Sequence, residues 1–281
     1  MSLFEKIGDQ VRLVRTWFRD LRLKDIGEAE ISSQTIQALQ SILQEYVQAV
    51  DDLDVQTLFI VGTEALRASK RRDEICQKIQ ASTGKNIHIL SGAQEAAYLL
   101  EAVRYEAHQH HTTSFLAMDI GAGSLELNLE EGGRSKASAS FPLGIIAVAS
   151  RLHLDENLKI SSQNVEQIYG EIQKFLSDPP FPQPSRETIL IGTGGNFWSI
   201  RQLLSLAPYQ ALHLPVLKAL AKKLSELSYE ERKSLKKLPL NRCDFAPLGL
   251  WIALAVMEFF TYEQILPLEA NLRLGVALSL G

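Results

Sequence analysis

Two apolar segments of the chain each run into a cluster of glycines, and this pattern limits the fold more than any other feature. Residues 118–126, Met-Asp-Ile-Gly-Ala-Gly-Ser-Leu-Glu, predict a strand that ends near Asp119, turns tightly and returns as a second strand. Residues 189–196, Ile-Leu-Ile-Gly-Thr-Gly-Gly-Asn, predict a buried strand, a glycine loop and a helix that begins at Phe197. Strands that alternate with helices indicate a protein of the α/β class.

The first glycine turn carries groups that suit either an anion or a cation. Gly121 and Gly123 allow backbone N–H groups to approach an oxyanion closely. Asp119 lies at the mouth of the strand, where it could hold a metal ion or a water molecule, and Glu126 returns towards the same mouth. The alternative is an ordinary β-hairpin with a glycine-rich turn and exposed acids.

The second glycine turn, residues 192–195, precedes a helix, and the free N–H groups at a helix N-terminus bind phosphate. This turn is not a P-loop, because the G-K-[ST] sequence is absent, and it does not fit the dinucleotide fingerprint G-x-G-x-x-G. The alternative is a plain turn from a strand to a helix.

Two charged residues lie early in predicted helices. Ser91 and Gln94 match a capping box, so a helix begins there and places Glu95 in its first turn. Glu95 could orient a water molecule for in-line attack on phosphorus, or it could only complement the helix dipole. Arg67 lies one turn into a helix that follows a buried strand, where it could clamp phosphate oxygens or be a surface arginine.

Hydrophobic periodicity predicts most of the remaining elements. A helix begins at Ser32 or Ser33, and a hairpin turns at Gly132-Gly133. Residues 10–18 could form a strand, although no hairpin partner is evident, and the chain after Phe197 is mostly helical. The other predicted strands are 57–61, 87–90, 114–120, 125–129, 135–141 and 188–191, and the other predicted helices are 64–82, 91–106, 145–152 and 165–176.

The length and composition indicate a cytoplasmic protein of two domains. A chain of 281 residues is too long for one ordinary core, and the polar residues 108–113 mark a boundary between domains 1–107 and 108–281. The histidines in that boundary segment could bind a metal, but we expect them to be solvated side chains of a linker. The net charge of −4 provides no global basic field, so an anion site must be local.

The sequence has no feature of an exported or membrane-spanning protein. Cys76 and Cys243 lie far apart and are expected to be reduced thiols. The first ten residues have no apolar region typical of a signal peptide. The longest apolar run, residues 248–257, is shorter than the ~20 residues that a membrane span needs and predicts a buried helix.

Taken in chain order, these motifs resemble the exopolyphosphatase / guanosine pentaphosphate phosphohydrolase (Ppx/GppA) family of the actin-like ATPase superfamily. The resemblance extends from about Arg12 to Gly281, and it is the order of the segments that is specific. Residues 61–67 are similar to the family's GTxxLR, 91–96 to SGxEEA, 119–126 to DIGGGSTE, 143–144 to LG, 192–195 to GTGGT, 242–244 to RxD and 272–276 to LRxGv.

The resemblance implies two actin-like (ribonuclease H-like) domains with an interdomain cleft. It implies Mg²⁺-dependent hydrolysis of the terminal phosphate of inorganic polyphosphate or guanosine pentaphosphate, with a possible homodimer and with no nucleic acid or membrane as partner. Glu95 would be the catalytic base, and Asp119 and Glu126 would hold the metal. The phosphate would be bound by Arg67, Gly121, Gly123, Ser124, Gly192, Thr193, Gly194 and Gly195.

The chain also departs from the family pattern. The family normally begins with a strand and a phosphate loop similar to DIGSNS, whereas residues 3–13 here resemble the third family strand. We therefore expect a first domain that is truncated at its N-terminus, and either a true start further upstream or a catalytically inactive relative that binds polyphosphate or nucleotide as a regulatory protein. Other departures are Gln94, Ala122, Leu125, Asn196 and Glu269-Ala270, where the family has Glu, Gly, Thr, Thr and Asp-Gly.

Overall fold

The computed structural model describes the chain except for residues 9, 20, 22, 24–29, 52, 156–158, 208, 239–242 and 281. The described residues form α/β structure in two compact units. Unit 1 contains Met1–Leu99 and Leu272–Gly281, and unit 2 contains Leu100–Asn271. The predicted domains were 1–107 and 108–281. The compact units instead assign residues 100–107 to unit 2 and residues 272–281 to unit 1. The domain boundary stays a prediction.

Unit 1 contains two small sheets and the helices around them. The strands β1 and β2 form an antiparallel hairpin, and β3 and β4 form a parallel pair. The helix α4 begins in unit 1 and continues into unit 2. The elements are β1 (Ser2–Ile7), β2 (Gln10–Thr16), α1 (Ser33–Asp51), β3 (Ile60–Gly62), α2 (Glu64–Arg67), α3 (Arg72–Thr83), β4 (Ile87–Ile89), α4 (Gly92–Gln109) and α11 (Leu272–Ser279).

The N-terminal hairpin differs from the prediction. No hairpin partner was evident for residues 10–18, and residues 3–13 resembled a single family strand, whereas the chain reverses at Gly8, whose φ is +59°. Glycine adopts that conformation without the cost that a Cβ imposes. The predicted strand at residues 10–18 is confirmed as β2, its partner is β1, and only the comparison of residues 3–13 with one continuous strand is wrong.

The predicted helix 64–82 is divided into α2 and α3. The carboxylate of Glu30 accepts hydrogen bonds from the Ser69 hydroxyl at 3.1 Å and from the Lys70 N–H at 3.2 Å, and the Ser69 hydroxyl accepts one from the Arg71 N–H. Side-chain acceptors of this kind compete with the helical hydrogen bonds of the backbone. The predicted helix at Ser33 is confirmed, because the Ser32 hydroxyl accepts the Thr35 N–H at 3.1 Å and caps α1.

Unit 2 is built on a six-stranded sheet in the order β7-β6-β5-β8-β10-β9. The strand β5 is antiparallel to β6 and parallel to β8, and β10 is parallel to β8. The elements are β5 (Phe115–Ile120), β6 (Leu125–Glu131), β7 (Arg134–Phe141), α5 (Ile145–Arg151), α6 (Ser162–Ser177), β8 (Ile189–Thr193), α7 (Gly194–Leu204), β9 (Leu212–His213), α8 (Leu214–Glu226), α9 (Tyr229–Lys233), α10 (Ala246–Phe259) and β10 (Gln264–Pro267).

Several predictions for unit 2 are confirmed. Gly132 and Gly133 have φ values of +59° and +73° and form the β6–β7 turn, since two residues with positive φ match the twist of a hairpin. The predicted apolar helix is α10, which is buried over Pro247–Met257. Within the described residues, no helix combines the length and the apolar character that crossing a membrane requires.

Candidate functional site

A row of polar side chains crosses the sheet of unit 2 near the C-terminal end of β5. In the strand register Asp119 lies opposite Glu126 on β6 and Thr193 on β8, and Glu126 lies opposite Ser140 on β7. Residues in opposite register project from the same face of a sheet. The Ser140 hydroxyl donates a 3.0 Å hydrogen bond to Glu126 Oε1. The structure therefore brings together the two carboxylates that the sequence assigned to metal binding.

The Asp119 carboxylate lies directly against Gly194. A Cβ built on Gly194 would be only 2.1 Å from Asp119 Oδ1, and Gly194 has a φ of +80°. Only glycine satisfies both conditions without strain. Because Gly194 is the first residue of α7, Asp119 lies at the positive end of this helix.

The first turn of α7 provides the anion-binding geometry that the sequence predicted, but with different limits. Gly192 and Thr193 belong to β8, and α7 begins at Gly194, so the predicted loop and the predicted helix start at Phe197 are wrong. The strand passes straight into the helix. Thr193 makes no side-chain cap, since its hydroxyl donates to the Met118 carbonyl at 3.4 Å. The first N–H groups of α7, beginning with Gly194 and Gly195, lack intrahelical partners and can face an anion.

The turn between β5 and β6 closes on itself. The Gly121 N–H donates a 2.9 Å hydrogen bond to the Ser124 carbonyl, so this predicted phosphate donor is already used. Gly123 is exposed, and a Cβ there would meet nothing within 4 Å. Ser124 is half-buried. Of the predicted groups in this turn, Gly123 and Ser124 remain the candidates for contact with a phosphate.

The helix α5 holds this turn in place. The N–H groups of Ile145 and Ile146 donate to the carbonyls of Gly121 and Ala122, at 3.0 and 2.8 Å. A Cβ on Gly144 would lie 2.3 Å from Ser124 N, so the backbone of residue 144 packs directly on the turn. The role of Gly144 as a support was not predicted, because the contact joins segments whose proximity depends on the strand register.

Asn196 anchors the start of α7 to the buried helix α10. Its side chain is 6% exposed, and Nδ2 donates a 3.3 Å hydrogen bond to the Gly249 carbonyl. A Cβ on Gly249 would lie 2.5 Å from Asn196 Oδ1. Asn196 stands where the family has threonine, and in this chain it packs the start of α7 against α10.

The segment 242–244, which resembles the family's RxD, lies in unit 2 and is held there by a buried arginine. Arg242 lies outside the described residues. The buried guanidinium of Arg232 donates to the carbonyls of Cys243 and Asp244, at 2.6 and 2.8 Å. Residues 243 and 244 are thus held by their backbone carbonyls.

In unit 1, Arg67 and Glu95 form an ion pair. The Arg67 guanidinium donates to Glu95 Oε1 and also to the Leu90 carbonyl. The two side chains are 31% and 26% exposed, so water and solutes can reach them. The predicted capping box is confirmed: Ser91 N–H donates to Gln94 Oε1 at 2.9 Å and Gln94 N–H to the Ser91 hydroxyl at 3.2 Å.

The predicted site residues thus form two groups. Arg67 and Glu95 are together in unit 1, and Asp119, Glu126, Thr193 and Gly194 are together in unit 2. The convergence of both groups on a common interdomain cleft stays a prediction.

The donor set in unit 2 is suited to a hard divalent cation that also binds phosphate. The described residues contain no cluster of three or more His, Cys, Asp or Glu side chains placed to hold a metal. Mg²⁺ is usually bound by one or two carboxylates, with substrate phosphates and waters as its other ligands. The neighbouring carboxylates Asp119 and Glu126 fit that pattern.

Together the sheet topology and the carboxylate beside a helix N-terminus define an α/β protein with a candidate site for a cation and a phosphate. The family model described as the Ppx/GppA phosphatase family matches residues 10–280. The chain belongs to this family.

The relatives include proteins described as guanosine-5'-triphosphate,3'-diphosphate pyrophosphatase. The one from Vibrio cholerae serotype O1 is 26% identical over 286 residues, which cover 98% of this chain and 56% of the relative. One from Vibrio vulnificus is 26% identical over 249 residues, covering 88% of this chain and 49% of the relative. This chain spans about half the length of these relatives.

Solved structures share the fold. The Aquifex aeolicus PPX-GPPA enzyme superposes with a TM-score of 0.85 at 20% identity, covering 99% of this chain and 94% of that one. An exopolyphosphatase from Cytophaga hutchinsonii has a TM-score of 0.84 at 18% identity, covering 99% and 93%. The α/β fold expected from the sequence is confirmed, and it is the fold of these structures.

Proposed function

We propose that this chain is a phosphohydrolase that removes the terminal phosphate from guanosine pentaphosphate or inorganic polyphosphate. The observation that carries the proposal is the contact of the Asp119 carboxylate with Gly194 at the N-terminus of α7. It places a potential cation ligand beside the backbone N–H groups of a helix N-terminus, and a metal-bound phosphate requires both kinds of group. The names of the Vibrio and Cytophaga relatives support the choice of substrates.

The phosphate would be held mainly by backbone N–H groups. The first amides of α7, from Gly194 and Gly195, and those of Gly123 and Ser124 supply donors whose positions are fixed by the fold. Preorganised donors of this kind stabilise the charge of a phosphoryl transition state, because they need no reorganisation during the reaction.

Asp119 and Glu126 would hold Mg²⁺ through carboxylate oxygens, and the ion would neutralise charge on the phosphate oxygens. The Ser140 hydroxyl keeps one oxygen of Glu126 oriented by its 3.0 Å hydrogen bond. Support of a ligating carboxylate by a second hydrogen bond is common in metal sites.

Glu95 would orient the attacking water and accept its proton. The Arg67 guanidinium donates a hydrogen bond to the Glu95 carboxylate. It would also donate a hydrogen bond to a phosphate bound beside that carboxylate. The capping box fixes the helical turn that carries Glu95, so the carboxylate starts from a defined position.

The direct test compares phosphate release by the wild type and by Glu95→Gln. Removal of a general base typically lowers kcat by ~100-fold or more, so we expect at least this loss with either substrate. The matched control is Glu101→Gln on the same helix, whose carboxylate pairs with Arg104 and which we expect to keep wild-type activity. Equal activity of Glu95→Gln and wild type would exclude Glu95 as the base.

A second candidate is a catalytically inactive relative that binds polyphosphate or nucleotide and regulates another protein. The pairing of Arg67 with Glu95 favours it, because the proposed base is already bound by a cation. This candidate predicts saturable binding of polyphosphate with no phosphate release, and its binding would be unchanged by Glu95→Gln.

A further inference from the structure

Trp198 is an exposed aromatic residue in a helix that is otherwise packed against the sheet. It is 46% exposed, whereas residues 196–197 and 199–201 of α7 are all buried. Tryptophan has a large apolar side chain, which buries about 150–250 Å² when it packs fully in a core. An indole that stays half in water therefore presents a flat apolar surface to which a ligand can bind.

The other two tryptophans of the chain have partners within the protein. Trp251 of α10 is 4% exposed, and its Nε1 donates a 2.9 Å hydrogen bond to the Ser225 hydroxyl. The Arg15 guanidinium lies over the ring of Trp17, 4.8 Å from its centroid. Among the described residues, no aromatic ring and no cation stacks on the indole of Trp198.

The position of Trp198 on α7 places it near the proposed phosphate site. Residues three and four apart lie on the same face of a helix, so Trp198 lies one turn along from Gly195 and Gly194. The separation from Gly194 is about 6 Å along the helix axis. Aromatic side chains on a helix lean towards its N-terminus. The indole is therefore expected to lean towards the end of α7 at which Gly194 meets the Asp119 carboxylate.

An exposed indole one helical turn from a phosphate site suits a nucleobase. Bases stack on aromatic side chains, and one such contact strengthens binding by roughly 5- to 150-fold. A nucleoside polyphosphate carries its base on the ribose, at the inner end of the phosphate chain. Inorganic polyphosphate has no planar apolar face, so it gains no affinity from the indole.

We propose that the indole of Trp198 stacks on the base of a nucleoside polyphosphate whose terminal phosphate is bound at the start of α7. This inference rests on the proposed function and narrows it, because it makes guanosine pentaphosphate, rather than inorganic polyphosphate, the preferred substrate of this chain. Since every base has a π-face, the indole selects a nucleotide over a bare phosphate chain and does not by itself distinguish guanine from adenine.

The test measures binding rather than turnover. One probe is guanosine 5'-(β,γ-imido)triphosphate, and the other is diimidotriphosphate, which has the same number of phosphates and no base. The terminal phosphate of each probe resists hydrolysis because nitrogen replaces the bridging oxygen. Isothermal titration calorimetry of the wild type in the presence of Mg²⁺ should give at least tenfold tighter binding of the guanosine compound.

Three variants test the role of the indole. Trp198→Ala should bind the guanosine compound at least tenfold more weakly than wild type, with less than a twofold change for diimidotriphosphate. Trp198→Phe keeps an aromatic face and should keep most of the preference for the guanosine compound. The matched control is Gln202→Ala, an exposed position one turn further along the same face, which should bind both compounds as the wild type does. Thermal unfolding verifies that all three variants are folded.

Three results would overturn the proposal. The first is no binding of the guanosine compound, or equal affinity of the wild type and Trp198→Ala for it. The second is an equal loss of affinity for both compounds in Trp198→Ala, which would make Trp198 a structural support of α7. The third is a dimer of the wild type that Trp198→Ala dissociates, which would assign the indole to an interface between copies.

Failure of this proposal and failure of the proposed function give different results. If the wild type releases phosphate from polyphosphate but its affinity for the guanosine compound does not depend on Trp198, the proposal fails and the hydrolytic function stands. If the wild type binds the guanosine compound through Trp198 but releases no phosphate from either substrate, the stacking role is supported and hydrolysis is contradicted.

Discussion

At the scale of single residues, the site depends on positions where a side chain has no room. Gly194 meets Asp119, and Gly144 meets the backbone of the β5–β6 turn. At Gly192 a Cβ would lie 2.7 Å from the ring of Phe197, which packs the first turn of α7 against β8. These glycines allow a carboxylate, a helix start and a turn to approach more closely than larger residues permit.

The substitution Gly194→Ala tests this view. A non-glycine residue at φ +80° and a steric conflict with Asp119 together cost roughly 2 kcal/mol of stability, a fall in Tm of roughly 5 °C. Thermal unfolding followed by circular dichroism measures the change. The matched control is Gly170→Ala in α6, where a Cβ meets nothing and helix propensity raises stability by up to ~1 kcal/mol. A Gly194→Ala protein as stable as wild type would contradict the account.

At the scale of elements, a buried carboxylate ties α4 to the segment that follows β10. Glu106 is 7% exposed, and its Oε2 accepts the Glu269 N–H at 3.0 Å. Burial raises the pKa of Glu106 to about 7, with a smaller contribution from the Glu269 carboxylate, while the backbone hydrogen bonds and Arg201 oppose the rise. Arg201 is itself buried and pairs with Glu269 at 2.9 Å.

This raised pKa gives stability a pH dependence. The folded protein holds the Glu106 proton more tightly than the unfolded chain, so stability from this residue is full below the ordinary pKa of 4.5 and is lost as the pH rises through about 7. Glu106→Gln keeps an acceptor for the Glu269 N–H and has no charge to bury. We expect it to be more stable than wild type at pH 8, by on the order of 3 kcal/mol, and similar at pH 4.5.

The measurement is the free energy of unfolding from urea denaturation at several pH values. Glu101→Gln, an exposed position on α4, should follow the wild-type curve. If the difference between Glu106→Gln and wild type is constant from pH 4.5 to pH 8, Glu106 does not titrate in this range.

The elements that could be predicted from the sequence are those with strong local patterns. The apolar face of α1, the apolar run of β5, the alternation in β6 and β7 and the Ser91–Gln94 capping box each act over a few residues. The strand β10 was missed because it has four residues and lies among helices. The start of α7 was misplaced because glycine has a low helix propensity, while packing of Phe197 on Gly192 and contact with Asp119 place the helix there.

The sequence predicted which residues belong to the candidate site, but it predicted few of the contacts between them. The pairing of Asp119 with Glu126 follows from the hairpin pattern, since a tight turn brings both strands into register. The pairing of Arg67 with Glu95 and the contact of Gly144 with Ser124 depend on distant segments, and neither was predicted. The assigned roles of these residues in catalysis stay predictions.

At the scale of the whole molecule, the protein is a Ppx/GppA family chain whose described residues form two compact units. Unit 2 contains a six-stranded sheet with the proposed metal and phosphate ligands at the C-terminal end of β5. Unit 1 holds the proposed base and its arginine. We propose that these residues together hydrolyse a phosphoanhydride with the help of Mg²⁺.

The most direct test is phosphate release by the purified wild-type chain from guanosine pentaphosphate and from polyphosphate. We expect release in the presence of Mg²⁺, a loss of at least 100-fold when EDTA removes the metal, and recovery when excess Mg²⁺ is restored. The absence of phosphate release from both substrates at every Mg²⁺ concentration would contradict the claim.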